Sequence, residues 1–205
     1  MFQEYGAVQT LAEAALDACP RQRDKVMMAS LAFKSALQMK DYMGAYNFIL
    51  RIPSVDEHDP TVEIREKMAS VRTLLRSLLE HCEIETLLAL DLRHEFAPGV
   101  STRAKVEEIL SAQANLSDPL VTDGVYQMLY AYHISRENFY EGATAMYSRA
   151  TRIGEKGGDL KALIAQKDSL LDVLTCLSCL PDRRTPLKVL RMGVHPLKPG
   201  GPLVG

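Results

Sequence analysis

The chain has 205 residues, 47% of them hydrophobic and 24% charged, with a formal net charge of −2. That composition excludes an intrinsically disordered chain, and the near-neutral balance supplies no global pull toward nucleic acid or anionic lipid. Trp is absent and aromatics make up 6%, while Leu, Ala and Met are plentiful; straight-chain residues lose little rotamer freedom in a helix. The opening stretch MFQEYGAVQT lacks the basic start and apolar run of a secretory signal. No window approaches the ~18 apolar residues of a membrane span. Cys19, Cys82, Cys176 and Cys179 read as free thiols of a reducing compartment, cytosolic or nuclear.

In chain order, the first helix runs from about Gln3 to Ala18, with Val8, Leu11, Ala12, Ala15 and Leu16 on one stripe, and Pro20 ends it. A second covers about Arg21 to Met39, turning Val26, Ala29, Phe33, Ala36 and Leu37 inward. After a short joint at Lys40-Asp41, a third spans Tyr42 to Arg51 before Pro53. Ser54 to Asp59 is an acidic loop, and Pro60 is placed to start the next helix. There Met68, Val71, Leu74, Leu75, Leu78, Leu79 and Cys82 form the apolar face, with Arg65, Glu66, Arg72, Arg76 and Glu80 outside. A short helix at Ile84 to Leu90 follows, Pro98-Gly99 breaks the chain, and another helix covers Thr102 to Asn115. Asp118-Pro119 offers a cap and a proline start for a long helix through Arg136.

The stretch Val125 to Ile153 reads as two amphipathic helices folded back across a very short joint. Leu129, Tyr132, His133 and Arg136 share one stripe, and Tyr140, Ala143, Tyr147 and Ala150 another, extended by Met146 and Ile153. Asn138 is the candidate N-cap, with Glu141 in capping-box position, and Gly142 and Ala143 are small where the helices meet. Shifting the chain by 98 positions lays Tyr42, Gly44 and Ala45 on Tyr140, Gly142 and Ala143, and Leu31 on Leu129, the grammar of stacked helix pairs. Gly157-Gly158 turns the chain and Asp159 caps the last helix, whose inner face reads as Leu160, Leu163, Ile164, Leu170, Leu171, Leu174 and Leu177. No alternating run of strand length is present. The fold class is therefore all-α, a stack of antiparallel helix pairs (an α-solenoid segment) over residues 1–180. Residues 181–205, with five Pro, four Gly and a net charge of +4, read as a disordered basic tail.

The chemistry-bearing residues assemble nothing catalytic. Cys176-x-x-Cys179 sits in the last turns of an apolar helix, at the wrong end of the dipole for a redox thiol. A zinc site would need two further ligands, and His81-Cys82 is the one pair on offer; the cysteines read as buried small hydrophobes. His58, His81, His94, His133 and His195 form no paired ligand spacing. Glu57-His58-Asp59 reads as a solvated loop, and Gly154 to Asp159 lacks the order of a phosphate loop and has no strand before it. The expectation is a protein without catalytic residues, cofactor or metal, and the residues singled out are packing residues: Leu129, Tyr132, Tyr140, Gly142, Ala143, Met146 and Tyr147.

From Val125 to Pro181 the ordered string resembles one family. It comprises Tyr126-x-x-Leu129-Tyr130-Ala131-Tyr132-His133-Ile134, Arg136-x-Asn138-Phe139, Gly142-Ala143-Thr144-x-Met146-Tyr147 and Arg152-Ile153-Gly154, then Leu160-x-x-Leu163, Gln166-Lys167 and Leu174-x-Cys176-Leu177. Weaker likeness covers Phe33 to Pro53, Leu74 to Leu90, and Val106 to Leu116. The family is nucleoporin 160, counterpart of fungal nucleoporin 120, a subunit of the Y-shaped outer-ring complex of the nuclear pore. The resemblance implies a piece of the helical C-terminal half of a larger scaffold, without the family's β-propeller. It further implies location at the nuclear pore, outer-ring nucleoporins as partners, and a part in nucleocytoplasmic transport including mRNA export. Neither a small-molecule substrate nor direct nucleic-acid binding is expected. A helical-repeat adaptor of another assembly, coat-type or tetratricopeptide-like, shares the same Tyr–Gly–Ala grammar.

Overall fold

The structure, a computed structural model, describes residues 2–52, 60–97 and 99–180. The expected loop at 54–59 and tail at 181–205 lie outside the described residues. Among these, the helices in chain order are α1 (Phe2–Ala18), α2 (Gln22–Gln38), α3 (Tyr42–Leu50), α4 (Pro60–Glu80), α5 (Ile84–Ala89), α6 (Thr102–Leu116), α7 (Asp123–Ile134), α8 (Phe139–Glu155) and α9 (Leu160–Ser178). The chain divides into two compact units, Met1–Leu116 and Ser117–Gly205. In the first, α1 packs on α2, α2 on α3, α3 on α4, and α4 on α5 and α6; in the second, α7 packs on α8 and α8 on α9. The fold is all-α, built of stacked helix pairs.

One small ribbon departs from the sequence reading. β1 (Glu95–Ala97) pairs antiparallel with β2 (Val100–Ser101), with Glu95 opposite Ser101 and Ala97 opposite Val100. Strands of three and two residues are too short to show alternation. Gly99 takes φ +77° in the turn, a conformation with little penalty only for a residue lacking Cβ.

The short joints share one construction. Lys40, Cys82 and Glu137 all adopt positive φ, at 61°, 55° and 59°. Each N–H donates three residues back, to Leu37, Leu79 and Ile134, and the next N–H five back, to Ala36, Leu78 and His133. These are Schellman closures, which satisfy the last carbonyls of α2, α4 and α7. The residue after each left-handed position caps the next helix: Asp41, Glu83 and Asn138. Their carbonyls accept the N–H groups of Ala45, Leu87 and Gly142. The Asp41 carboxylate also accepts the Gly44 N–H at 2.9 Å.

This construction corrects the repeat register. Matching left-handed residues places Glu137 on Lys40, a shift of 97 (137 minus 40) instead of 98. Buried Ala32, Ala45 and Tyr46 then fall on buried Leu129, Gly142 and Ala143. The shift of 98 instead laid Leu31, 46% exposed, on Leu129, 4% exposed. Residue identity favoured one register, and turn geometry with burial fixes the other.

A larger correction concerns α9. Its inward residues are Ala162, Ser169, Val173 and Cys176, whereas Leu160, Leu163, Ile164, Leu170, Leu171 and Leu174 are exposed. The reason is close approach. A Cβ built on Gly142 would lie 3.3 Å from Cys176 Sγ, and one on Gly154, also on α8, 2.6 Å from Gln166 Nε2. A helix held that near α8 turns its small residues inward, and leucines there would overfill the space.

Smaller differences have local causes. Leu11 on α1 is exposed, while Ala12 and Leu16 on the same stripe are buried. Cys82 is exposed, since it stands past the end of α4 in the left-handed turn. Pro119 does not start a helix: the Asp118 side chain accepts the Leu120 N–H at 2.9 Å and its carbonyl the Thr122 N–H at 2.9 Å, a turn that delays α7 to Asp123.

Candidate functional site

The joint between α7 and α8 gathers most of the residues singled out in the sequence. Leu129 and Tyr132 on α7 are buried, as are Gly142, Ala143 and Met146 on α8; Tyr140 and Tyr147 are half-buried. Full burial of Met146 alone stabilises by ~1.5–3 kcal/mol. Gly142 sits where three helices converge. A Cβ there would stand 3.2 Å from Ile134 Cδ1 and 3.7 Å from His133 Cβ on α7, besides the Cys176 sulfur on α9. Asn138 occupies the N-cap position as expected, but its side chain makes no capping hydrogen bond. The orphan N–H groups of α8 are therefore not served by that amide.

The Arg136 guanidinium lies 3.9 Å from the Tyr132 ring centroid, a cation–π contact that also covers the ring. His133 is buried, stands edge-on to Tyr132 at 5.8 Å, and its Nδ1 has no hydrogen-bond partner. Burial lowers its pKa from 6.5; Glu141 opposes this and Arg136 reinforces it. His133 is a core histidine whose burial disfavours its charged form.

Cys176 and Cys179 part company. Cys176 is buried on the inner face of α9, where burial raises its thiol pKa despite a hydrogen bond with Tyr130. Burial first, and then the Cys176 sulfur, push the Tyr130 hydroxyl up to about 12. Cys179, expected to be buried, is exposed past the helix end. A protonated, buried thiol is inert as a nucleophile. Among the described residues no three His, Cys, Asp or Glu side chains converge to hold a metal, and no helix is long and apolar enough to cross a membrane.

A second cluster, at the C-terminal half of α8, carries no motif in the sequence. Arg149 and Arg152 on α8 and Lys156 at its C-cap form one basic stripe and hold the turn that precedes α7. Arg149 is 4% exposed; its Nε donates to the Pro119 carbonyl at 3.4 Å and a terminal nitrogen to Ser169 Oγ on α9 at 3.2 Å. Arg152 donates to Tyr126 Oη at 2.5 Å and to the Ser117 carbonyl at 2.8 Å. Lys156 pairs with Asp118; that pairing, and then the Leu120 N–H, hold the Asp118 carboxyl below its ordinary value. The spacing of three and four was the signal available, but a basic stripe reads as a solvated face until the loop beneath it is seen. The arrangement fastens backbone to side chain.

The family model described as the NUP160/120 middle TPR matches residues 1–180. Nuclear pore complex protein Nup160 of Homo sapiens is 26% identical over 170 residues, 83% of this chain and 11% of that protein. That of Mus musculus is 25% identical over 170 residues, again 83% and 11%. The Nup160 homolog of Drosophila melanogaster is 25% identical over 190 residues, 89% of this chain and 12% of its own. The chain thus spans about a ninth of the length of these relatives.

Proposed function

Because the chain belongs to the NUP160/120 middle TPR family, we propose that it is a structural scaffold segment of a nuclear pore outer-ring nucleoporin. It supports pore assembly and, through it, nucleocytoplasmic transport including mRNA export. The observation that carries this reading is the family match across residues 1–180, the stretch that holds all the described helices. Its partners are other outer-ring nucleoporins and its location is the nuclear pore at the nuclear envelope. Residues 1–180 act as one helical-repeat stretch, in which each helix buries an inner face on its neighbours and offers an outer face to other chains.

In this reading Leu129, Tyr132, Tyr140, Gly142, Ala143, Met146 and Tyr147 hold the joint between α7 and α8 and touch no partner. The role is mechanical. Affinity capture of the tagged chain from cells, with proteins identified by mass spectrometry, tests it. Recovery of outer-ring nucleoporins is expected; recovery of vesicle-coat subunits in their place would overturn the proposal and favour an adaptor of another assembly.

A further inference from the structure

The joint between α7 and α8 differs from the two joints built like it in the residue that closes the helix. The carbonyl that accepts the N–H five residues on belongs to Ala36 in the first joint, to Leu78 in the second and to His133 in the third. The His133 carbonyl takes the Asn138 N–H at 3.0 Å and the Arg136 N–H at 3.1 Å. Its side chain lies against the first turn of α8, where a Cβ on Gly142 would come 3.7 Å from His133 Cβ. Of these three joints, the third therefore builds a titratable side chain into its closing position.

That side chain shares its corner with a second unanswered group. His133 is 3% exposed, and among the described residues its Nδ1 has no hydrogen-bond partner. Arg136, three residues on in the closing turn, buries an Nε that has none either. Both side chains touch Tyr132, the guanidinium over the face of the ring and the imidazole at its edge. One terminal nitrogen of Arg136 is taken up by the Tyr132 carbonyl and Ser135 Oγ. An arginine Nε is always a donor, whereas a neutral imidazole with its proton on Nε2 presents Nδ1 as an acceptor. The two groups then match in type, and only one of them is charged. Protonation makes Nδ1 a donor as well and sets two cations in one buried corner. The other groups that reach the imidazole offset this little. Glu141 on α8 favours the proton but is exposed, so solvent screens it, and α9 brings Cys176, whose thiol burial keeps uncharged.

We propose that His133 and Arg136 form a proton-sensitive latch on the joint between α7 and α8. The latch is closed while the imidazole is neutral with its proton on Nε2. When the ring gains a second proton, the joint opens at the bonds made by the Asn138 and Gly142 N–H groups. The device is local to the joint and does not depend on which chains the segment meets.

The test uses the full 205-residue chain with its histidine rings labelled with nitrogen-15, His133 being assigned by its absence from the spectrum of His133→Gln. At pH 8 the His133 Nδ1 signal is expected where an unprotonated ring nitrogen resonates. Amide hydrogen exchange, corrected for its intrinsic dependence on pH, then reads the joint. In the opened joint the ring titrates near its ordinary 6.5, so protection at Asn138 and Gly142 should fall about tenfold between pH 7.5 and pH 5.5. Asp41 and Ala45 make the same bonds in the joint that has Ala36 in place of the histidine, and their protection should hold. His133→Gln keeps an acceptor that does not titrate and should lose the fall, while Arg136→Met, without the second cation, should shrink it. A proton on Nδ1 at pH 8, no fall at Asn138 and Gly142, an equal fall at Asp41 and Ala45, or a fall that survives in His133→Gln would each overturn the proposal.

Discussion

Gly142 is the position at which the packing of the second unit can be tested most sharply. It lies in the interior of α8, where replacing Gly by Ala removes backbone freedom from the unfolded chain and gains ~0.5–1 kcal/mol. Against this, the new Cβ meets Ile134 Cδ1 at 3.2 Å and Cys176 Sγ at 3.3 Å, so both must yield by a few tenths of an ångström. The isoleucine end is flexible, but the sulfur is carried on α9. Overpacking costs ~1–3 kcal/mol, and a single methyl belongs at the low end. Gly142→Ala should therefore come out within about 1 kcal/mol of the parent chain. Gly142→Leu carries three more carbons toward His133, Ile134 and Cys176 with little further gain in propensity, so it should lose about 2–3 kcal/mol. That corresponds to roughly 4–12 °C in melting temperature for a chain of this size. Thermal denaturation followed by circular dichroism and urea titration followed by tyrosine fluorescence measure both variants. A Leu variant that melts within about 1 °C of the parent would refute the close approach of α7, α8 and α9.

Three further outcomes follow from the same geometry. Glu137 holds φ +59° at the end of α7, so Glu137→Gly should stabilise by about 0.5–1 kcal/mol in urea titration despite the added freedom of the unfolded chain; destabilisation would mean that its side chain matters more than its backbone. The lowered pKa of buried His133 means that below its ordinary value of 6.5 the unfolded chain binds the proton more readily than the folded one. Stability should accordingly fall as pH drops below about 6.5 and hold above it, and His133→Phe should flatten this dependence in melts taken from pH 8 to 5. Arg152→Met removes charge-assisted hydrogen bonds to Tyr126 and the Ser117 carbonyl and should cost about 1.5–3 kcal/mol, with faster proteolysis at residues 117–122; protease resistance equal to the parent's would show that the turn is held by Arg149 and Lys156 alone.

Helix identity was legible because two local signals agreed: apolar residues at three-and-four spacing, and prolines or capping residues at the ends. The burial of α7 and α8 could be read at Leu129, Tyr132, Ala143 and Met146 because those helices bury large apolar side chains, which is the assumption behind any hydrophobic stripe. On α9 that assumption inverts. Ala162, Ser169, Val173 and Cys176 face inward because α8 lies too close for leucine, and the leucines are left outside. The joint register escaped for a related reason. A left-handed residue is recognisable in sequence when it is glycine, and here the chain uses Lys40, Cys82 and Glu137.

By itself, then, the sequence determined that the chain is helical, where most helices start and stop, and which family string it carries, since all of these depend on residues close together in the chain. The tertiary structure decided which side of α9 is inside, which register relates the two joints, and which turn the bases of α8 fasten. Those follow from distances between helices, and a helix wheel records direction around one axis without recording how near the neighbouring axis lies.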